Sequence, residues 1–436
     1  MQEKKNFVLV GHNGVGKTTL GEAVLYFTGV TSRFGKVDEG NSVLDSDPDE
    51  ISRKISLNLA VAKFSHKDKD FYLLDTPGFL DFVGEVYAGL RVGNTAVVVV
   101  DATSGVEVGT EQVWGVACKY EVAKCFFINK MSKEQANFES AVSSIRETFG
   151  NKAVPLTVPV GSGPGLKGVI DLFGMKFYAT VDGKTTMGDV PSDIMGDMEN
   201  LRLELMETIA EVDDELTEKY LEEGELTDEE MLEGLKKGIK EGKVFPVFAG
   251  DALQMVGVQA FLDAVSEYFP SVSDYPEIKA HTPDGEEITV SVDGPFAGFV
   301  FKTMVEPHLG EMNFVRVYAG ELTPGTEVWN SCKGKPEKIN QMYVLKGKDR
   351  EEVKSATAGD FVILVKLKDT ETGDTLCLKD NPVVFPKLEL PEPTISVAIV
   401  PRSKEDEEKV SNGLSRLRAE DPTFHFHYDT ETKQTL

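Results

Sequence analysis

Residues Gly11–Thr18 read GHNGVGKT, between an apolar run, Phe7–Val10, and a segment whose spacing predicts a helix through Phe27. The pattern G-x-x-x-x-G-K-[ST], placed between a strand and a helix, is that of a loop that cradles phosphates. Its glycines expose successive backbone N–H groups, and the partial positive charge at the helix N-terminus favours a polyphosphate. On this reading His12, Asn13, Gly14, Val15, Gly16, Lys17, Thr18 and Thr19 form a nucleotide-binding loop. Lys17 reaches the β- and γ-phosphates and the Thr18 hydroxyl ligates Mg²⁺. His12 reads as a structural member of the loop.

A second element, DTPG at Asp75–Gly78, ends the apolar run Phe71–Leu74. A carboxylate at a strand's carboxyl end can hold Mg²⁺ through water, and Gly78 can bring its N–H to a γ-phosphate with no side chain in the way. A third, NKMS at Asn129–Ser132, follows the run Cys125–Ile128, where base-reading residues of a doubly wound sheet belong. Continuous Val/Ile/Leu runs at Phe7–Val10, Ser56–Phe64, Phe71–Leu74, Ala96–Val100 and Cys125–Ile128 predict strands buried on both faces, hence a mostly parallel α/β sheet. His66–Asp70 predicts a hairpin turn at one sheet edge.

At 436 residues the chain predicts about three domains. Val158–Gly188 reads as α+β and Asp193–Gly242 as acidic helices, with Thr227 and Glu230 spaced as a capping box. A helix follows near Val258–Tyr268, then a linker over Pro270–Asp293. Short β-patterned stretches from Pro295 to about Pro386 predict a small barrel with Phe299, Phe301 and Phe314 in its core. Thr394–Val400, Lys404–Ala419 and Phe424–Tyr428 read as strand, helix, strand, half of a βαββαβ unit. The net charge of −27, from 46 Lys and Arg against 73 Asp and Glu, opposes nonspecific adhesion to DNA, RNA or anionic membrane. An RNA partner must dock through a local patch, the best being Lys333, Lys335, Lys338, Lys346, Lys348 and Arg350. The run Glu204–Glu230 reads as a solvated helical face. No apolar run approaches the ~18 residues of a membrane span, and the start lacks a signal-type apolar core. The scattered Cys118, Cys125, Cys332 and Cys377 exclude a zinc ribbon or redox pair and read as buried thiols in a reducing cytosol.

In this order, the three elements resemble those of bacterial elongation factor G, a translational GTPase, over essentially the whole chain. FLDFVGEVYAGLRV after the DTPG, GVEVGTEQVW (Gly105–Trp114), KGVIDL (Lys167–Leu172), RVYAGEL (Arg316–Leu322), GDTLC (Gly373–Cys377) and EDPTF (Glu420–Phe424) carry the likeness. The resemblance implies a P-loop GTPase domain over 1–157 and 246–275, an inserted subdomain over 158–245, a β-barrel domain over 276–390 and a partial ferredoxin-like domain over 391–436. It implies GTP/GDP and Mg²⁺ as cofactors. The implied partner is the ribosome, through rRNA and its stalk protein, for a monomeric cytoplasmic protein with no DNA or membrane partner. It places Asp251, Ala252 and Leu253 of GDAL in the guanine loop beside Asn129, Lys130 and Ser132, and sets Thr18, Ser56 and Asp75 as metal residues. The family's translocating work is done by domains that follow the third.

Several positions depart from the family pattern. RKISL at Arg53–Leu57 stands for RGITI, so that Ser56 replaces a metal-reaching threonine, and Gly14 replaces an aspartate. Phe79 occupies the place of the histidine that orients the attacking water, leaving Lys17, Gly78 and the Phe79 position as the catalytic set. Ser132 stands where NKxD has aspartate, while Asp251 stands where the neighbouring loop has serine. A divergent paralogue branch of that family also has a glycine-rich loop like GHNGVGKTTL and lacks this histidine, and the chain resembles a member of it. A tetracycline-resistance type ribosomal protection factor, or a module that reports nucleotide state and barely hydrolyses, are the alternatives.

Overall fold

The alternating runs and helical segments up to Asp274 fold as β1 (Lys4–Val10), α1 (Lys17–Phe27), α2 (Pro48–Arg53), β2 (Ala60–His66), β3 (Lys69–Asp75), α3 (Val83–Val92), β4 (Thr95–Asp101), α4 (Val108–Lys119), β5 (Ala123–Asn129), α5 (Phe138–Phe149) and β6 (Ala153–Pro155). An insert follows: β7 (Thr157–Val160), β8 (Gly168–Asp171), β9 (Lys176–Val181), β10 (Lys184–Asp189), α6 (Met195–Ala210), α7 (Asp214–Glu223) and α8 (Asp228–Lys240). The chain then returns as β11 (Phe245–Ala249) and α9 (Val258–Tyr268). The structure is a computed structural model that describes residues 3–306, 310–346, 348–393, 395–403, 406–431 and 434–436. It divides into two compact units, Met1–Asp274 with Lys346–Asp349, and Tyr275–Leu345 with Arg350–Leu436.

In the first unit the main sheet has the order β2-β3-β1-β4-β5-β11-β6. All its pairs are parallel except β2–β3. The strands are apolar throughout because both faces are covered. Phe7 and Leu9 of β1 pack with Leu20 and Val24 of α1 and Phe261 of α9, whereas Val8 lies against Gly89 of α3. Burying each such side chain stabilises the unit by roughly 1.5–3 kcal/mol. The register sets Leu9 beside Asp75 and Asp101 beside Asn129, so the loops after β1, β3, β4 and β5 open along one carboxyl edge. The edge hairpin turns at Lys67 and Asp68, whose φ values of 47° and 58° fit a two-residue type I′ turn.

The expected strand Ser56–Phe64 begins only at Ala60. Ahead of it the N–H groups of Leu57 and Asn58 donate to Glu50 and that of Leu59 to Glu85, so a ladder has no donors to use there. The insert pairs β10-β9-β8-β7, and the Thr227–Glu230 capping box opens α8. Its acidic helical run is mostly exposed.

The second unit contains a hairpin, β12 (Glu277–His281) with β13 (Glu287–Ser291), where a linker was expected. Ile278, Ala280, Ile288 and Val290 alternate with polar residues on either side of Pro283-Asp284-Gly285, so the turn signal belonged to a hairpin. The strands β14 (Ala297–Glu306), β15 (Gly310–Ala319), β16 (Glu321–Leu322), β17 (Glu327–Asn330), β18 (Lys335–Lys338), β19 (Met342–Lys346), β20 (Asp349–Glu352), β21 (Ala356–Thr357), β22 (Phe361–Val365) and β23 (Thr375–Cys377) follow. They form a β-rich domain whose larger sheet has the order β18-β17-β23-β14-β15-β22-β19-β20. Phe299, Phe301 and Phe314 are buried in it. Of the basic cluster, Lys333 pairs with Glu371 at 2.7 Å, and Lys335 and Arg350 pair with Asp369 and Glu306.

The last segment gives α10 (Glu407–Glu420), β24 (Tyr428–Asp429) and β25 (Gln434–Thr435). Thr394 and Lys404 of the expected elements lie outside the described residues. The expected strand up to Val400 is irregular apart from one bridge, Ile399 to Thr435. Ile395, Val397 and Val400 are 81%, 69% and 73% exposed, so no apolar face holds that run flat. Phe424–Tyr428 likewise shrinks to Tyr428–Asp429 paired with β25. Cys125 and Cys377 are buried as expected, but Cys118 and Cys332 are exposed; the one lies on the outer side of α4 and the other in the turn after β17. No described helix is long and apolar enough to cross a membrane.

Candidate functional site

The loop after β1 lies at one end of a cavity of about 630 Å³. Gly16 caps α1 with φ 96°, a left-handed conformation that a Cβ would strain. Lys17 is 5% exposed, and its Nζ donates to the carbonyls of Gly11 and His12, each at 3.0 Å. Burial pushes its pKa down, and the nearby carboxylates of Asp75 and Asp45 offset that only in part. A phosphate entering the loop would supply the missing negative charge. A Cβ on Gly78 would sit 2.5 Å from Lys17 Nζ and 2.7 Å from Asn13 Cα, so the DTPG loop closes on the phosphate loop only with glycine there.

Thr18 Oγ1 and Ser56 Oγ lie 3.0 Å apart. Beside them Asp75, 1% exposed, is pushed well above the usual carboxylate range by burial and by Asp45, against the pull of Thr18 and Lys17. Asp45 is raised to about 6, chiefly by burial. Asp75 Oδ1 and Asp45 Oδ2 are buried without a hydrogen-bond partner. Two hydroxyls and two orphaned carboxylate oxygens make a donor set for a hard cation. Among the described residues no group of three or more His, Cys, Asp or Glu is arranged to hold a metal. A cation here must therefore complete its shell from water or from a ligand, as Mg²⁺ does on a polyphosphate.

In the same cavity Asn129 joins three loops. Its Nδ2 donates to Val15 O and its Oδ1 accepts from Ala252 N, both at 2.9 Å, so Val15 and Ala252 contribute backbone. Lys130, in a left-handed conformation at φ 65°, donates to Gly14 O at 2.5 Å and to Asp101 Oδ2 at 2.7 Å. Burial alone would raise the pKa of Asp101, but Lys130 and Thr103 hold it at about 2. Ser132 and Asp251 are in direct contact: Asp251 Oδ2 accepts from Ser132 Oγ at 2.5 Å and from Ser132 N at 3.1 Å, and Oδ1 accepts from Gln254 N at 3.1 Å. Asp251 is 3% exposed. Met131 N donates to Gly250 O, and Met131 O accepts from Gly163 N of the insert at 3.1 Å.

Asn13, Gly14, Gly16, Lys17, Thr18, Thr19, Ser56, Gly78, Asn129, Lys130, Ser132, Asp251 and Leu253 all line this one cavity. His12, Val15, Asp75, Phe79 and Ala252 are not among its lining residues. His12 turns instead to α4, where its Nδ1 accepts from Gly109 N at 3.3 Å. Phe79 is half-buried just before a short 3₁₀ turn, Leu80–Phe82. Asp101 was legible in principle as the last residue of an apolar strand whose carboxyl end faces the site. Asp45 carried no local signal.

Residues 2–271 match the elongation factor Tu GTP binding domain, 295–379 match elongation factor G domain 2, and 390–436 match elongation factor G domain III. A solved protein of Thermus thermophilus, ttk003000868, superposes with a TM-score of 0.89 at 31% identity, over 99% of this chain. The chain spans 63% of the length of that protein. With three consecutive family matches along its length, the chain belongs to the translational GTPases of the elongation factor G type.

Proposed function

We propose that the chain binds GTP and GDP with Mg²⁺ and switches ribosome binding with nucleotide state, as a monomer in the cytoplasm, with the insert facing the ribosomal stalk protein. One observation carries this reading: Lys17, the Thr18–Ser56 hydroxyl pair and the Asp45 carboxylate line the same cavity as Asn129, Lys130, Ser132 and Asp251, with the carboxylate of Asp75 buried beside them. Thr18, Ser56 and Asp75 would hold Mg²⁺, with Asp45 beside them. When bound, the ion neutralises charge on the β- and γ-phosphate oxygens. Lys17 exchanges its two carbonyl partners for phosphate oxygens, and Gly78 offers its N–H to the γ-phosphate.

Phe79 has no group that can donate to or accept from a water. The reading is therefore of a paralogue that hydrolyses GTP slowly, and the same residue favours the alternative of a nucleotide-state reporter over a translocating or ribosome-protecting enzyme. Turnover of GTP with and without ribosomes tests this. Slow intrinsic hydrolysis with modest ribosome stimulation is expected, and no binding of GTP in a calorimetric titration overturns the assignment.

A further inference from the structure

The segment between α1 and β2 brings Asp45 and Ser56 to the phosphate site with little regular structure to hold it. It is fastened by side-chain carboxylates. Glu22 of α1 is fully buried, and its Oε1 accepts from Ser42 Oγ and Val43 N at 2.6 Å and from Leu44 N at 3.1 Å. Glu50 of α2 is 3% exposed. Its Oε2 accepts from Asp47 N at 3.0 Å, closing a capping box, while its Oε1 crosses to Leu57 N at 3.0 Å and Asn58 N at 2.9 Å. Glu85 of α3 takes Leu59 N at 2.5 Å.

Glu50 thus joins the start of a six-residue helix to the backbone just past Ser56. Between the two ends Lys54 caps the helix with φ 57°, a left-handed conformation that a non-glycine residue adopts only at a cost. The pinned amides on either side hold it there. Without them α2 is too short to persist, and only Asp45 at the Ser56 side chain and Glu85 at Leu59 N would be left to keep Ser56 Oγ 3.0 Å from Thr18.

We propose that Glu50 is a positioning residue for the cation site: by binding the amides of Asp47, Leu57 and Asn58 at once, it holds Ser56 against Thr18 before nucleotide arrives. The cation's role rests on the GTP–Mg²⁺ reading above; the latch itself does not. What the amides need is acceptors, which the charge of the carboxylate strengthens. Glu50→Gln retains an oxygen for Leu57 and Asn58, whereas Glu50→Ala retains none.

Two measurements test this on the full chain. Hydrogen exchange without nucleotide should show the Leu57 and Asn58 amides protected in the parent, largely protected in E50Q, and exchanging at least about tenfold faster in E50A. A Mg²⁺ titration of binding of a fluorescent, non-hydrolysable GTP analogue should show half-saturation rising about tenfold in E50A and less than about threefold in E50Q, the loss of one charge-assisted hydrogen-bond set. Binding of the analogue without Mg²⁺ should stay within about twofold of the parent in both, because the phosphate loop and base end are untouched. Unchanged exchange in E50A, an unchanged Mg²⁺ requirement, or an E50Q as impaired as E50A overturns the proposal. Failure of the parent to bind the analogue overturns the nucleotide reading instead, and the exchange measurement still judges the latch.

Discussion

Asp251→Ala should lower the preference for GTP over ATP by about 10- to 150-fold. Asp251 accepts three hydrogen bonds, two from Ser132 and one from Gln254, while an ionised carboxylate offers about four lone-pair sites, so one remains for a ligand. Ser132 spends its only hydroxyl proton on Asp251 and presents lone pairs to the cavity. A guanine edge with its N1–H and N2–H donors meets acceptors there, whereas adenine offers an acceptor at N1. Removing the carboxylate frees the Ser132 hydroxyl to rotate and takes away the remaining acceptor. That loss is worth about one charge-assisted hydrogen bond, ~1.5–3 kcal/mol, which at about 1.4 kcal/mol per decade gives the stated range. The assay is competitive displacement of a fluorescent nucleotide by GTP and by ATP. Taking the ratio cancels any general loss from the two backbone donors left without partners. Ser132→Asp on the same background should recover most of the ratio by returning a carboxylate to the site, and the cycle isolates the coupling. An unchanged ratio in Asp251→Ala refutes this reasoning and leaves guanine recognition to Asn129, Lys130 and the backbone at Ala252.

Lys17→Ala should weaken triphosphate binding by roughly 10²-fold or more, through the loss of charge-assisted contacts to phosphate; calorimetry showing parental affinity would remove the phosphate-loop assignment. Phe79→His should raise ribosome-stimulated turnover by up to ~10²-fold, while Phe79→Ala should leave it near the parental rate; abolition by the alanine would mean that the ring takes part. Asp101→Asn should cost about 2 kcal/mol at neutral pH, from a pKa held at about 2 against an ordinary 3.8. Because the folded pKa is depressed, that difference is fully present above the ordinary value and fades as pH falls from about 4 to 2. Thermal melts of parent and variant that fail to converge over that window would show that the ion pair with Lys130 is not its source.

The parts of the site that are local in sequence were legible. Gly11–Thr18, Asp75–Gly78 and Asn129–Ser132 each end a strand at the same sheet edge, and the periodicity that predicts the strands also predicts that edge. The likeness to the family then supplied Asp251. What could not be read was anything that depends on where an irregular segment lies. Asp45, Glu22 and Glu50 are ordinary acidic residues in an acidic chain, and only burial beside backbone donors distinguishes them. Ser56 was assigned a metal role and a strand at once. The structure resolves the conflict, because carboxylates take the amides a strand would need. In the second unit the Pro-, Asp- and Ser-rich composition of Pro270–Asp293 reads as a linker, although the alternation of Ile278, Ala280, Ile288 and Val290 within it describes two paired strands.

The route of the insert through the sheet has a mechanical meaning. The chain leaves the sheet after β6 and returns as β11, which runs between β5 and β6 and leads within a few residues to Asp251. The insert is also bonded to Met131 through Gly163. Both loops that hold the base end of the cavity are thus tethered to the insert, one by covalent continuity and one by a backbone bond, while the phosphate loop hangs from β1 on the far side of β4 and β5. A displacement of the insert is felt at those two loops first, and the bonds of Asn129 to Val15 O and of Lys130 to Gly14 O pass it straight to the loop after β1.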